Sequence, residues 1–203
     1  MTKWSLRAAC CTAVYWCSSQ LAAAPVVQYP TVDQANSNPA RVYPLDAYSL
    51  GKHPLSCTLA DGTPVPVIVV LDAAPFTFLA VRSQQGPAIY ANEGRIRKQP
   101  LEYAVFAFFR ECGMHNLITV QATNRNEASA YDRRISKAAD CLAVIPTQTT
   151  LQLSEGLHYA QIVPALREDY GEQAASSANE LARCVDKDYT SQHVRQLVPR
   201  PGG

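Results

Sequence analysis

The residues of this chain best spaced to act together are a guanidinium, two carboxylates and an imidazole. Arg110, Glu111 and His115 fall within one short run, and Asp140 follows about one helix later. On a helix, positions four apart share a face, so Glu111 and His115 project side by side. Two chemistries are open to this set. In the expected one, Arg110 forms a buried ion pair with Asp140 that can take in Glu111, and a fixed cation ties two helices together. In the alternative, Glu111, His115 and Asp140 form a metal shell, because two carboxylates and one imidazole are acceptable zinc ligands. Arg110 weighs against that shell, since a permanent guanidinium beside it repels a dication.

Both arrangements require two facing helices, and the pattern supplies them. Pro100 is well placed to start a helix over 101–120, and the run Tyr103 to Phe109 is apolar on every side, which predicts a central helix. A polar connection at 122–127 leads to a second helix over 128–144, stopped by Pro146. A third is predicted over 154–162, interrupted by Pro164 with an extension toward Tyr170, and a fourth over 174–187. Residues 188–203 read as a polar tail. Ahead of the helices, Ser56 to Leu59, the Asp61-Gly62 turn and Val65 to Leu71 read as strand, turn, strand. Pro64 and Pro66 place the proper start of the second strand at Val67. Phe76 to Arg82 and Pro87 to Tyr90 add two short strands. The expected fold class is α+β: a small antiparallel sheet of three or four strands followed by three or four helices.

The 203 residues, 47% hydrophobic and 17% charged, suffice for one ordinary core, placed at 55–187. Lys3, Arg7, the uncharged run from Ala8 and the small residues Leu21 to Ala24 predict a signal peptide over 1–24, cleaved behind Ala23. Prolines at 25, 30, 39, 44 and 54 make 25–54 an extended, loosely docked arm whose Tyr29, Tyr43 and Tyr48 can pack on the domain or on a partner. Without Lys3 and Arg7 the chain has 16 basic against 17 acidic residues, and nothing points to nucleic acid or an anionic membrane. No later stretch is apolar enough to span a bilayer. Four cysteines remain beyond the signal, Cys57, Cys112, Cys141 and Cys184, and an even count in an exported chain predicts two disulfides with three connectivities open. His53, His158 and His193 are isolated and expected at the surface. Ser136 has no neighbouring histidine to make it a nucleophile.

Set together, Ile89-Tyr90-Ala91-Asn92, Phe108-Phe109-Arg110-Glu111-Cys112-Gly113, Ala139-Asp140-Cys141-Leu142-Ala143 and Arg183-Cys184 resemble the small exported gluzincin-like zinc metallopeptidases, whose helix reads His-Glu-Cys-Gly-His-His. The similarity runs from about Cys57 to Cys184 and implies a zincin-like core. It makes Glu111 the general base and Asp140 the residue that orients the first histidine. It also makes Arg110, Met114 and Ser136 the former ligand positions, so all three metal ligands are replaced. A base without its metal has little to activate, because water keeps its proton (pKa about 15.7) unless zinc lowers that to about 7. Cys112 and Cys141 are expected as bridged rather than reactive thiols, Cys57 with Cys112 and Cys141 with Cys184. The resemblance therefore implies a periplasmic or secreted, catalytically inactive relative that holds no cofactor and whose former cleft binds a peptide or protein. Its rivals are a zinc-dependent hydrolase using Glu111, His115 and Asp140, and a structural or partner-binding envelope protein acting through the 25–54 arm.

Overall fold

The computed structural model describes residues 41–43, 48–70, 76–83, 86–117 and 125–198, so the expected signal peptide and the start of the arm lie outside the described residues. The strands are β1 (Arg41–Tyr43), β2 (Ser49–Leu50), β3 (His53–Pro54), β4 (Val67–Val70), β5 (Phe78–Ser83) and β6 (Gly86–Asn92). Helices α1 (Glu93–Ile96), α2 (Leu101–Leu117), α3 (Arg125–Leu151), α4 (Tyr159–Tyr170), α5 (Ala178–Arg183) and α6 (Lys187–Leu197) follow. The class is α+β, as the sequence predicts.

The sheet is mixed rather than antiparallel. Its order is β1-β4-β6-β5, with β4 and β6 parallel and Val67 opposite Ile89, while both edge strands run antiparallel to their neighbours. The chain leaves β4 for the edge strand β5, then returns into the gap between them, so β6 meets β4 in the same direction. β4 consists only of Val and Ile, whose branched side chains suit an interior strand, and Val67 and Val69 are buried. The second half of the expected arm belongs to the fold: β1 pairs with β4, β2 with β3, and Tyr48 is buried against Phe78 and Phe108. Proline spacing forbids a helix there, but it leaves the intervening backbone free to pair as short strands.

Helix α2 is the axis of the molecule. Tyr103 to Phe108 are all buried, between Val67, Phe78 and Ile89 of the sheet and Ile162 and Leu166 of α4. The larger of them, such as Val105, Phe106 and Phe108, each contribute about 1.5–3 kcal/mol by leaving water. On its far side α2 meets α3 through Gly113, where an added Cβ would lie 3.4 Å from Ala139 Cα and from Leu142 Cβ. A Cβ there would make ordinary van der Waals contact, so the two motif helices pack closely at a position that an alanine could also fill.

Three helix boundaries differ from expectation. α3 passes through Pro146 to Leu151, and on that stretch the Thr147 hydroxyl donates to the Ala143 carbonyl at 2.6 Å, while the one N–H that proline removes is the partner of the Leu142 carbonyl. α4 starts only at Tyr159, after a turn in which Gly156 takes φ 91°, and it too runs through its proline, Pro164. The predicted fourth helix is two. Ser177 and Glu180 form a capping box for α5, and Asp186 then accepts from the Asp188 and Tyr189 N–H groups to start α6. Residues 188–197, expected as a polar tail, are therefore helical, and Val194 and Leu197 pack on Leu117 and Ile135.

Candidate functional site

The meeting of α2 and α3 brings Arg110, Glu111, Ser136 and Asp140 to one point. Ser136 and Asp140 lie four apart on α3, so both face α2, and adjacent positions on α2 supply Arg110 and Glu111. Arg110 Nε donates to Asp140 Oδ1 at 2.7 Å, Nη1 to Glu111 Oε1 at 2.5 Å, and Nη2 to the Ser136 hydroxyl. The guanidinium carbon lies 3.4 Å from the centroid of the Tyr170 ring, which places the cation on an aromatic face. Arg110 and Glu111 are each 2% exposed and Asp140 is fully buried.

Every remaining carboxylate oxygen of the cluster is also engaged. Asp140 Oδ2 accepts from the Ser176 N–H at 2.8 Å, and Glu111 Oε2 accepts from the Ala80 N–H at 2.7 Å. Tyr170 donates to the Phe78 carbonyl at 3.2 Å. In β5, Phe78 and Ala80 turn their backbone groups away from β6, because the hydrogen-bonded partners across that ladder are their neighbours, as in the bond from Asn92 N–H to the Thr77 carbonyl. Glu111 and Tyr170 thus occupy the outward groups of an edge strand, and two of its free pairing positions are closed from within the molecule.

The electrostatics follow from this burial. Burial disfavours the Arg110 charge, but the Asp140 and Glu111 carboxylates beside it act the other way, and the guanidinium pKa is held above its ordinary value. Burial raises the Asp140 carboxyl above its usual range, against the pull of Arg110 and the Ser176 N–H. It also raises the Tyr170 hydroxyl, with Glu111 acting in the same direction, so the ring stays neutral under the cation.

The alternative shell of Glu111, His115 and Asp140 is not brought together. His115 is buried with its Nε2–H donating to the Ala88 carbonyl of β6 at 2.9 Å, while the two carboxylates are held by the guanidinium. Among the described residues no group of three His, Cys, Asp or Glu side chains is placed to hold a metal ion. The Arg110 cluster itself does not fit a divalent metal: a fixed cation already stands between its carboxylates, and their oxygens are satisfied by N–H donors. Met114 is half-buried against Leu117, Ile135, Ala138 and Ala139, in apolar surroundings that suit a flexible thioether.

Both disulfides flank the cluster. Cys57 is bridged to Cys112 and Cys141 to Cys184, with Cα separations of 5.6 and 5.2 Å, which is the expected pairing. Two such bonds fit an oxidising compartment. No described helix is long and apolar enough to cross a membrane. Of the remaining histidines, His158 is exposed and paired with Glu102, whereas His53 is half-buried with its ring bonded to the Thr150 carbonyl, and His193 is half-buried and stacked on Tyr189. Tyr170, Ser176 and the Ala80 N–H are the members of the site that the motifs do not announce. The first two come from the end of α4 and the loop after it, and the third is backbone. Comparison of the chain with protein-family models, with curated proteins and with solved structures finds no match in any of the three.

Proposed function

We propose that this chain is an exported, catalytically inactive relative of the gluzincin-like metallopeptidases, one that works by binding a peptide or protein instead of cleaving it. The observation that carries the reading is the buried Arg110 guanidinium, bonded at once to Asp140, Glu111 and Ser136. These four positions are the ones the resemblance assigns to a ligand, the base, another ligand and the orienting aspartate, and they converge although they are far apart in sequence. Arg110 then does for the carboxylates what a metal does in an active relative, except that it holds no water and lowers no water pKa. Glu111 is a general base in position only, since it accepts from Arg110 and from the Ala80 N–H. Any partner is bound at the rim of the former cleft, because its centre is filled.

The test is elemental mass spectrometry on the natively purified protein, next to Arg110→His/Met114→His/Ser136→Glu. The wild type is expected to carry no stoichiometric zinc, and the folded triple variant about one zinc per chain, as a restored three-ligand site would. Stoichiometric zinc in the wild type that disappears in His115→Ala would overturn the reading in favour of a hydrolase. A folded triple variant that binds no zinc would remove the metallopeptidase resemblance as its basis.

A further inference from the structure

The sheet has a second face, turned away from α2. Successive residues of a strand point to opposite faces, and residues paired across strands share one. Val67, Val69, Phe78, Ile89 and Ala91 look inward to the core, so the alternate set Ile68, Val70, Leu79, Val81, Ala88 and Tyr90 looks outward. Tyr90 stands opposite Ile68 on one side and opposite Leu79 on the other, which makes one continuous row across β4, β6 and β5. Leu79 is 37% exposed, and Ile68, Val70, Val81 and Tyr90 are half-buried. Among the described residues these five stand outside both buried clusters and outside the half-buried hydrophobic residues that pack on them.

A sheet face left to water usually carries the polar residues of the alternation. This one carries no charge among its described positions, and β4 reads Val-Ile-Val-Val with no polar residue at all. A contiguous apolar face of this kind marks a contact surface. It is small for a second copy: a stable interface takes about 800 Å² and roughly 20–30 residues from each partner, and five side chains on three strands fall well short. The chain ahead of the sheet suits it better. β1 begins at Arg41, opposite Val69 of β4, so the chain reaches the sheet beside this face. Residues 24–40 precede it once the expected signal is removed, and they include Val26, Val27, Tyr29 and Val32 with Asp33 as their one charged residue.

We propose that residues 26–32 of this chain lie across the row of Ile68, Tyr90 and Leu79 and cover it. The segment reads Val-Val-Gln-Tyr-Pro-Thr-Val, without a charge. Pro25 and Pro30 restrict it to extended backbone, which lowers the entropy lost when it is seated. Tyr29 supplies a ring that can rest on an apolar face while its hydroxyl stays in water. Residues 33–40 are the link: eight residues reach about 26 Å, and crossing the three strand spacings from β1 to β5 takes about 14 Å. The first half of the arm then belongs to the domain, like the second half, in which Tyr48 is buried. A partner reaches the outward face only by displacing this segment. The inference goes beyond the binding role proposed above and stands without the metallopeptidase resemblance.

The experiment places the photoreactive p-benzoylphenylalanine at Leu79 of the full chain, purified natively, and identifies by mass spectrometry what it joins on irradiation. The expected product is a cross-link within one chain to the peptide from Val26 to Val32. Tyr29→Asp/Val32→Asp should lower its yield by about fivefold or more, because a carboxylate is poorly accepted against an apolar face. Asn36→Asp, in the link, should leave the yield unchanged. If the label at Leu79 lowers the melting temperature, the same label at Tyr90, which replaces one aromatic ring by another, carries the test. A cross-link to a second copy, cross-links confined to residues outside 26–32, equal yields in the double variant and the parent, or no cross-link from either position would each overturn the inference. The zinc measurement reads the resemblance separately, so either idea can fail alone.

Discussion

Among the described residues, two arginine–aspartate clusters have carboxylates that are equally buried and guanidiniums that are not. Arg110 is 3% exposed in its side chain and pairs with Asp140. Arg95 is 23% exposed and pairs with Asp169, while its other contact, Glu168, is mostly in water. A tyrosine attends each cluster in a different way: Tyr170 lies against the Arg110 cation, whereas Tyr103 donates its hydroxyl to Asp169 at 2.5 Å. Burial raises the Tyr103 hydroxyl pKa and Asp169 adds to it, so the phenol remains a donor. The comparison separates two uses of the same pair of residues. Arg110 has nowhere else to go, and its partners must all be present. Arg95 can rotate toward Glu168 and solvent if Asp169 fails it.

Removing charge at each carboxylate tests that difference. Asp140→Asn should cost about 3–5 kcal/mol in urea unfolding at neutral pH, the usual penalty for leaving a buried charge short of its partner. Asparagine has one oxygen to serve both Arg110 Nε and the Ser176 N–H, and its amide N–H groups would face one of those donors. Asp169→Asn should cost less, about 1.5–3 kcal/mol, as expected for losing hydrogen bonds to a charged group while the arginine can rehydrate. Equal losses in the two variants would show that solvent access of the guanidinium does not set the cost.

Glu180 marks the shallow end of the series, at 36% side-chain exposure. Glu180→Gln keeps an acceptor for the Ser177 N–H and should cost only about 0.5 kcal/mol near neutral pH. Burial acts to raise the Glu180 carboxyl pKa, but the Ser177 bonds and Lys137 outweigh it, and the net shift is downward. A carboxyl lowered in the folded state contributes stability above its unfolded pKa and loses it as the pH falls through the folded value. The deficit of Glu180→Gln should therefore vanish in acid, where paired urea melts of variant and wild type ought to coincide. A deficit that persists there would assign the effect to the capping geometry rather than to charge.

What the sequence discloses of the buried cluster is its helical part. Arg110, Glu111, Ser136 and Asp140 are close because of spacing within two helices, and such spacing is local. Tyr170, Ser176 and the Ala80 N–H arrive from a helix end, a loop and a sheet edge, and no local rule links them to position 110. The same limit explains the sheet. Strand positions follow from alternation and turn residues, but the insertion of β6 between β4 and β5 depends on which strand finds which partner. Pro146 and Pro164 were poor markers for a different reason. Proline removes one N–H from a helix, and in α3, where Val144 is anchored in the core before Pro146 and the His53 ring bonds the Thr150 carbonyl beyond it, that loss does not end the helix. Ser177 and Asp186, by contrast, are capping residues, and with Glu180 three residues beyond Ser177 the split into α5 and α6 was open to reading.

Each disulfide cysteine on the motif helices directly follows a carboxylate of the cluster: Cys112 after Glu111, and Cys141 after Asp140. Neighbours on a helix point about 100° apart, so anchoring each cysteine outward fixes the rotational setting that turns the preceding carboxylate toward Arg110. The two rings, with sequence separations of 55 and 43, do not overlap, and each bond governs one helix. By chain entropy each closure is worth about 4 kcal/mol. That is of the same order as the expected penalty for disrupting the cluster. Thiol oxidation thus holds the phase of both helices in which the charges share an interior. A chain made where cysteines stay reduced would have to bury an arginine whose partners are free to turn away.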